Sequence, residues 1–132
     1  MNMPRLNHIS IAVRDINKFA KLYENLFDIR FSSPKFLQSQ KVNLSFGETK
    51  GVKLELISPS SEDSPIAKFL EKRGEGLHHI CLEVDNLDVV LDDLKKKRVE
   101  IIGTPTMGGS GKKIVFLHPK STGGVLVELK ES

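Results

Sequence analysis

The chain has 132 residues, 20 Lys plus Arg against 17 Asp plus Glu, a formal net charge of +3 and 39% hydrophobic content. That size predicts one domain over 1–132 that can fold without disulfide or metal staples, and the hydrophobic content together with a charged content of 28% excludes a disordered chain. No apolar run approaches the ~18 residues of a membrane span, and the mild charge with no Trp and one Tyr excludes the usual nucleic-acid signatures, so neither a membrane nor nucleic acid is expected as a partner.

Residues 6–13 alternate polar and apolar side chains and predict a strand. Asp15 predicts an N-cap, followed by a helix whose Ile16, Phe19, Ala20, Tyr23, Leu26 and Phe27 keep the three-and-four rhythm of an inward face. Residues 29–32, 41–47 and 52–58 predict three strands. Ser64-Pro65-Ile66 reads as an N-cap with Pro at the first helical position, starting a short helix with Ile66, Phe69 and Leu70 on one side. Gly74 and Gly76 end it. Residues 77–84 predict the next strand. Asn86 or Asp85 then caps a helix with Leu87, Val90, Leu91 and Leu94 inward, and its basic end at 95–98 suits the helix dipole. Strands at 99–102, 113–117 and 124–130 complete the chain.

These elements repeat. Leu6-Asn-His-Ile-Ser-Ile-Ala-Val and Leu77-His-His-Ile-Cys-Leu-Glu-Val match with His8 and His79 in register, 71 residues apart. Val52-Lys-Leu-Glu-Leu and Val125-Leu-Val-Glu-Leu match with Glu55 and Glu128 in register, 73 residues apart. One such match is weak; two in order at nearly equal offset predict a duplicated unit. The expected fold class is therefore α+β, with paired βαβββ modules at 5–58 and 77–130 and a linker with a short helix at 59–76. With helices on one face of each module only, the other face stays free to line a metal-binding cleft.

Side chains alternate along a strand. Ile9, Ile11 and Val13 belong to the helix face, and so do Ile80, Leu82 and Val84. That assigns His8 and His79 to the opposite face, excludes His78, and places Glu55 and Glu128 there too. A lone strand His is usually structural, and strand glutamates are usually solvated. A duplicated His/Glu pair beside the small residues Ser10, Ala12 and Cys81 predicts a metal site instead. Two imidazoles and two carboxylates suit a divalent ion such as Co, Mn, Ni or Zn. Four ligands on an octahedral ion leave two positions for a substrate that chelates through two oxygens.

The residues at 63–80 and 116–129, supported by 8–16, resemble the methylmalonyl-CoA epimerase family of the vicinal oxygen chelate superfamily. The resemblance covers nearly the whole chain and is weakest at 30–50. It implies that His8, Glu55, His79 and Glu128 are the metal ligands. It also implies interconversion of the (R) and (S) forms of methylmalonyl-CoA by C2 proton abstraction through a metal-stabilised enolate. Inversion needs an acid/base group on each face of the planar intermediate. The resemblance gives one role to Glu128. The family's other glutamate aligns with Leu44, which carries no proton; Glu48, the nearest carboxylate, is the candidate for the second role, with a solvated turn residue as its other reading and with water, another group or a shifted register as the alternatives.

The run from Gly108 to Lys113 fails the P-loop pattern, with Thr106 and Lys113 at required positions. It predicts a flexible loop whose Lys112 meets coenzyme A phosphates. The small residues of the turn at 118–124, with Ser121 as the substrate-binding candidate, bring backbone amides toward the thioester end of the substrate; the alternative is a plain β-turn. A homodimer follows by resemblance. The single cysteine, Cys81, and the lack of a targeting pattern predict a reducing cytoplasm. The competing readings are a glyoxalase I-like lyase and a non-catalytic ligand-binding protein on the same fold.

Overall fold

A computed structural model describes all residues, 1–132. The chain forms two compact units, one of His8–His78 and one of Met1–Asn7 with His79–Ser132.

In the His8–His78 unit, β1 (Arg5–Ala12), of which His8–Ala12 belong here, leads to α1 (Ile16–Phe27), β2 (Lys35–Leu37), β3 (Val42–Gly47), β4 (Lys53–Pro59) and α2 (Pro65–Arg73). The strand order is β2-β3-β4-β1, with β1 and β4 parallel and the other pairs antiparallel. Asp15 caps α1 as expected, its side chain accepting from the Lys18 N–H at 3.1 Å. Ile16, Phe19 and Ala20 pack on Ile11, Val13 and Leu56, one face of this sheet. The last turn is less covered than its spacing predicts: Leu26 and Phe27 are each 60% exposed. An edge contact with Tyr23, 5.3 Å between ring centroids, is the packing of Phe27.

The predicted strand at 29–32 does not form. Phe31 makes one isolated bridge to Gly47. Ser32 mimics a ladder partner, its backbone N–H donating to the Phe46 carbonyl at 2.9 Å and its Oγ accepting from the Phe46 N–H at 3.0 Å. At Gly47 a Cβ would lie 2.5 Å from the Phe31 ring, so any larger residue there needs that ring to move. The pairing strand is β2, past Pro34, a residue that reads as a breaker.

The short helix α2 corrects a second expectation. Ser64 caps it, accepting from the Ile66 N–H at 3.2 Å, with Pro65 in its first turn. Its Ile66 and Leu70 pack against Ala12, Val42, Leu44 and Ile57. Those four share the sheet face of His8 and Glu55, since Ser10 pairs with Glu55, Ala12 with Ile57 and Leu44 with Ile57. The face opposite α1 is therefore apolar and covered at one end, not free.

In the other unit, β5 (Gly76–Val84), of which His79–Val84 belong here, precedes α3 (Leu87–Lys96), β6 (Ile101–Met107), β7 (Lys113–Leu117) and β8 (Val127–Glu131). The order is β5-β8-β7-β6, with β5 and β8 parallel. Asn86, not Asp85, caps α3 through the Val89 N–H at 3.2 Å. Leu87, Val90 and Leu91 bury against Val84, Val115, Leu117, Val127 and Leu129. Strand β6 runs five residues past its predicted end at 102. A register shift between Ile102 and Thr106 absorbs Gly103 and Pro105.

Leu87 is fully buried. Leu87→Ala is expected to cost about 2–5 kcal/mol of unfolding free energy by urea titration, from lost burial plus cavity. Asp15→Ala at the exposed cap should cost about 1 kcal/mol. Equal costs at the two positions would show that the α3 core is not the packed layer described.

Candidate metal centre

The His8–His78 unit brings His8 and Glu55 together. His8 stands on β1 and Glu55 on β4, and the parallel register places both on one face. His8 Nε2 lies 3.6 Å from Glu55 Oε1, and the side chains are 5% and 8% exposed. Phe46, directly opposite Glu55 on β3, turns its ring edge-to-face with the imidazole at 5.5 Å between centroids.

The second unit builds the same arrangement. His79 Nε2 lies 3.1 Å from Glu128 Oε1, with 2% and 9% of the side chains exposed. Phe116, opposite Glu128 on β7, meets the His79 ring edge-on at 5.2 Å. Cys81 pairs with Glu128 across β5 and β8, as Ser10 pairs with Glu55, and both small side chains are fully buried. His78 turns away from this set, packing edge-on against Phe69 at 4.8 Å.

Phe46 and Phe116 are the residues that sequence reading missed. They form a third match of the repeat, 70 residues apart, but inside dissimilar strings, Leu-Ser-Phe-Gly and Ile-Val-Phe-Leu. Only the strand register shows that each ring sits over a His/Glu pair.

The donor chemistry fits a divalent cation. An ionised carboxylate removed from water costs several kcal/mol unless cations or donors face it. Glu55 and Glu128 are both more than nine-tenths buried, and each faces an imidazole nitrogen, itself a metal donor when neutral. Each Phe adds an apolar wall that limits solvent access to such a site.

The other predicted site residues lie elsewhere. Glu48 follows β3 in an exposed turn, 71% of its side chain accessible, with Lys53 Nζ 3.8 Å from Oε1. Leu44 is buried against α2. Lys112 is exposed in the turn joining β6 to β7, where the Gly108 N–H donates to its carbonyl at 2.9 Å. Ser121 lies in a short 3₁₀ turn (Pro119–Ser121), its Oγ accepting from the Glu100 N–H at 2.9 Å. Lys120, 3.0 Å from the Glu100 carboxylate, holds that carboxyl below its usual range by its hydrogen bond, against a small opposing effect of burial. The His118 Nδ1 accepts from the Lys120 N–H at 3.1 Å, which fixes the tautomer in this turn.

Residues 7–116 match the family described as glyoxalase/bleomycin resistance protein/dioxygenase superfamily. The chain is 44% identical to the human mitochondrial methylmalonyl-CoA epimerase over 99% of its own length and 76% of that protein. The chain belongs to this superfamily and, within it, to the methylmalonyl-CoA epimerase family. It is also 40% identical to an ethylmalonyl-CoA/methylmalonyl-CoA epimerase of Cereibacter sphaeroides, over 96% of this chain and 97% of that one. Among solved structures, a variant of the Streptomyces coelicolor methylmalonyl-CoA epimerase in complex with 2-nitronate-propionyl-CoA superposes with a TM-score of 0.91. It is 33% identical and covers 99% of this chain and 96% of that one. The fold is thus the glyoxalase-like one expected, a βαβββ module in each unit.

If the buried pairs hold a divalent ion, saturating Mn²⁺ or Co²⁺ will raise the thermal midpoint of chelator-stripped protein. An ion at a hundredfold its Kd adds about 2.7 kcal/mol. Glu55→Ala and Glu128→Ala should each remove most of that rise. An unchanged midpoint in the unmodified protein would show that the pairs bind no such ion.

Proposed function

We propose that this protein is a metal-dependent epimerase that interconverts the (R) and (S) forms of methylmalonyl-CoA. The observation that carries the reading is the duplicated, buried His/Glu pair in a chain 44% identical to a methylmalonyl-CoA epimerase. We assign His8, Glu55, His79 and Glu128 as ligands of one divalent ion, of the Co, Mn, Ni or Zn type that a mixed imidazole and carboxylate set suits.

The C2 proton of methylmalonyl-CoA lies between a thioester carbonyl and a carboxylate, and is too weakly acidic for an unaided side chain. Held by His8, Glu55, His79 and Glu128, a divalent ion would supply Lewis-acid polarisation of the substrate. The chain's own residues do the rest. His8 and His79, fixed by their Glu partners and by the Phe46 and Phe116 rings, present nitrogens in a set orientation. Those rings also keep water from the developing negative charge, which strengthens its electrostatic stabilisation.

Inversion requires one proton carrier on each face. We assign one face to the Glu128 carboxylate. The second is assigned to Glu48, the carboxylate at the exposed turn after β3, whose Oε1 lies 3.8 Å from the Lys53 ammonium. Lys112, exposed on the β6–β7 turn, and Ser121, half-buried in the 3₁₀ turn, are assigned to the coenzyme A portion. The same reading includes a homodimer in a reducing cytoplasm, in keeping with a single, buried cysteine.

Solvent exchange separates these roles. In D₂O the metal-loaded protein should wash deuterium into C2 of methylmalonyl-CoA, and Glu128→Gln should lower that rate by at least about a hundredfold, the usual weight of a general base. Glu48→Gln should slow inversion far more than wash-in from one enantiomer. Metal-independent exchange would reject the mechanism, and full inversion by Glu48→Gln would move the second role to another group.

A further inference from the structure

Charge counting at the proposed site calls for a cation. Two carboxylate ligands, Glu55 and Glu128, balance a divalent ion completely. A malonyl-type thioester then brings one further negative charge, and removal of its C2 proton develops another. Uncompensated charge in a buried place is costly.

Lys53 meets that need from within the His8–His78 unit. It is the register partner of His8 across β1 and β4, so the two side chains leave the same face of the sheet. It precedes Glu55 by two residues on that face, about 6.6 Å along an extended strand. Its ammonium stands 6.0 Å from the Phe46 ring centroid, on the ring that packs against the His8 imidazole. The side chain is 43% exposed, open to an incoming solute.

Its carboxylate neighbour holds it weakly. Glu48 Oε1 is 3.8 Å from Lys53 Nζ and its side chain is 71% exposed, and an ion pair of that kind contributes little in water. Two other cations of the unit have partners of their own: Lys41 pairs with Asp63, and Arg14 donates to the Leu70 carbonyl at 3.4 Å.

We propose that Lys53 reads the free carboxylate of the acyl substrate, exchanging Glu48 for the malonyl-type carboxylate and so selecting α-carboxylated thioesters over uncharged ones. It acts as a fixed charge that transfers no proton. The assignment deepens the epimerase reading and rests on it.

Calorimetric titration of the metal-loaded protein with racemic methylmalonyl-CoA and with propionyl-CoA tests it, because the two ligands share coenzyme A and differ in the carboxylate. Lys53→Gln should weaken methylmalonyl-CoA about tenfold, as loss of a charge-assisted hydrogen bond does, and leave propionyl-CoA within about twofold. Lys53→Arg, which keeps the charge, should recover most of the loss, and KM should rise more than kcat falls in the Gln variant. Equal weakening of both ligands would overturn the proposal and place Lys53 on the coenzyme A phosphates. No weakening of either would also overturn it. Should the unmodified protein bind methylmalonyl-CoA no better than propionyl-CoA, the epimerase reading itself fails with it.

Discussion

A carboxylate withdrawn from water has to be met by positive charge or donors, and that requirement organises this chain. Glu55 and Glu128 are each placed by strand alternation on the face opposite the main helix of their module. Each is then buried beside an imidazole, a small side chain and an aromatic ring. Such an environment is unfavourable for an isolated anion and favourable for an anion that holds a metal. Packing serves it directly: Leu56 and Leu129, the next residues along the two strands, anchor the opposite faces against α1 and in the α3 core. A one-residue slip of either strand would bury the glutamate in those apolar layers instead.

The two modules have diverged away from the pairs. In the first, the ligand face continues into Ala12 and Ile57, closed by Ile66 and Leu70 of α2. In the second, the corresponding positions are Glu83 and Lys130, register partners with charged atoms 4.0 Å apart and with the Asn7 amide donating to Glu83 at 3.0 Å. The duplication therefore kept its chemistry at His and Glu while its surroundings followed local packing. The charge balance at the first pair, with Lys53 the register partner of His8, is a feature of this kind, specific to one half.

Much of this was legible in the residues because it depends on local rules. Period-two alternation placed His8 with Glu55, and His79 with Glu128, on one strand face in each unit, and the caps at Asp15, at Ser64 and at Asn86 or Asp85 gave three helix starts. What escaped depends on tertiary placement. The strand at 35–37 hides behind Pro34, and β6 passes through Gly103 and Pro105 only because a bulge takes them up. The face chosen by α2 is not encoded in its own apolar stripe, which would serve either side of the sheet. The Phe46 and Phe116 rings carry no sequence motif, and their role is visible only through the register that sets them opposite the glutamates.

The central claim is that both pairs serve one ion. Titration of the metal-free protein with Co²⁺, followed by its visible absorption, tests this most directly. The account predicts saturation at one equivalent per chain, with the same band lost in His8→Ala and in His79→Ala. Two equivalents per chain, or a band that survives either substitution unchanged, would contradict it.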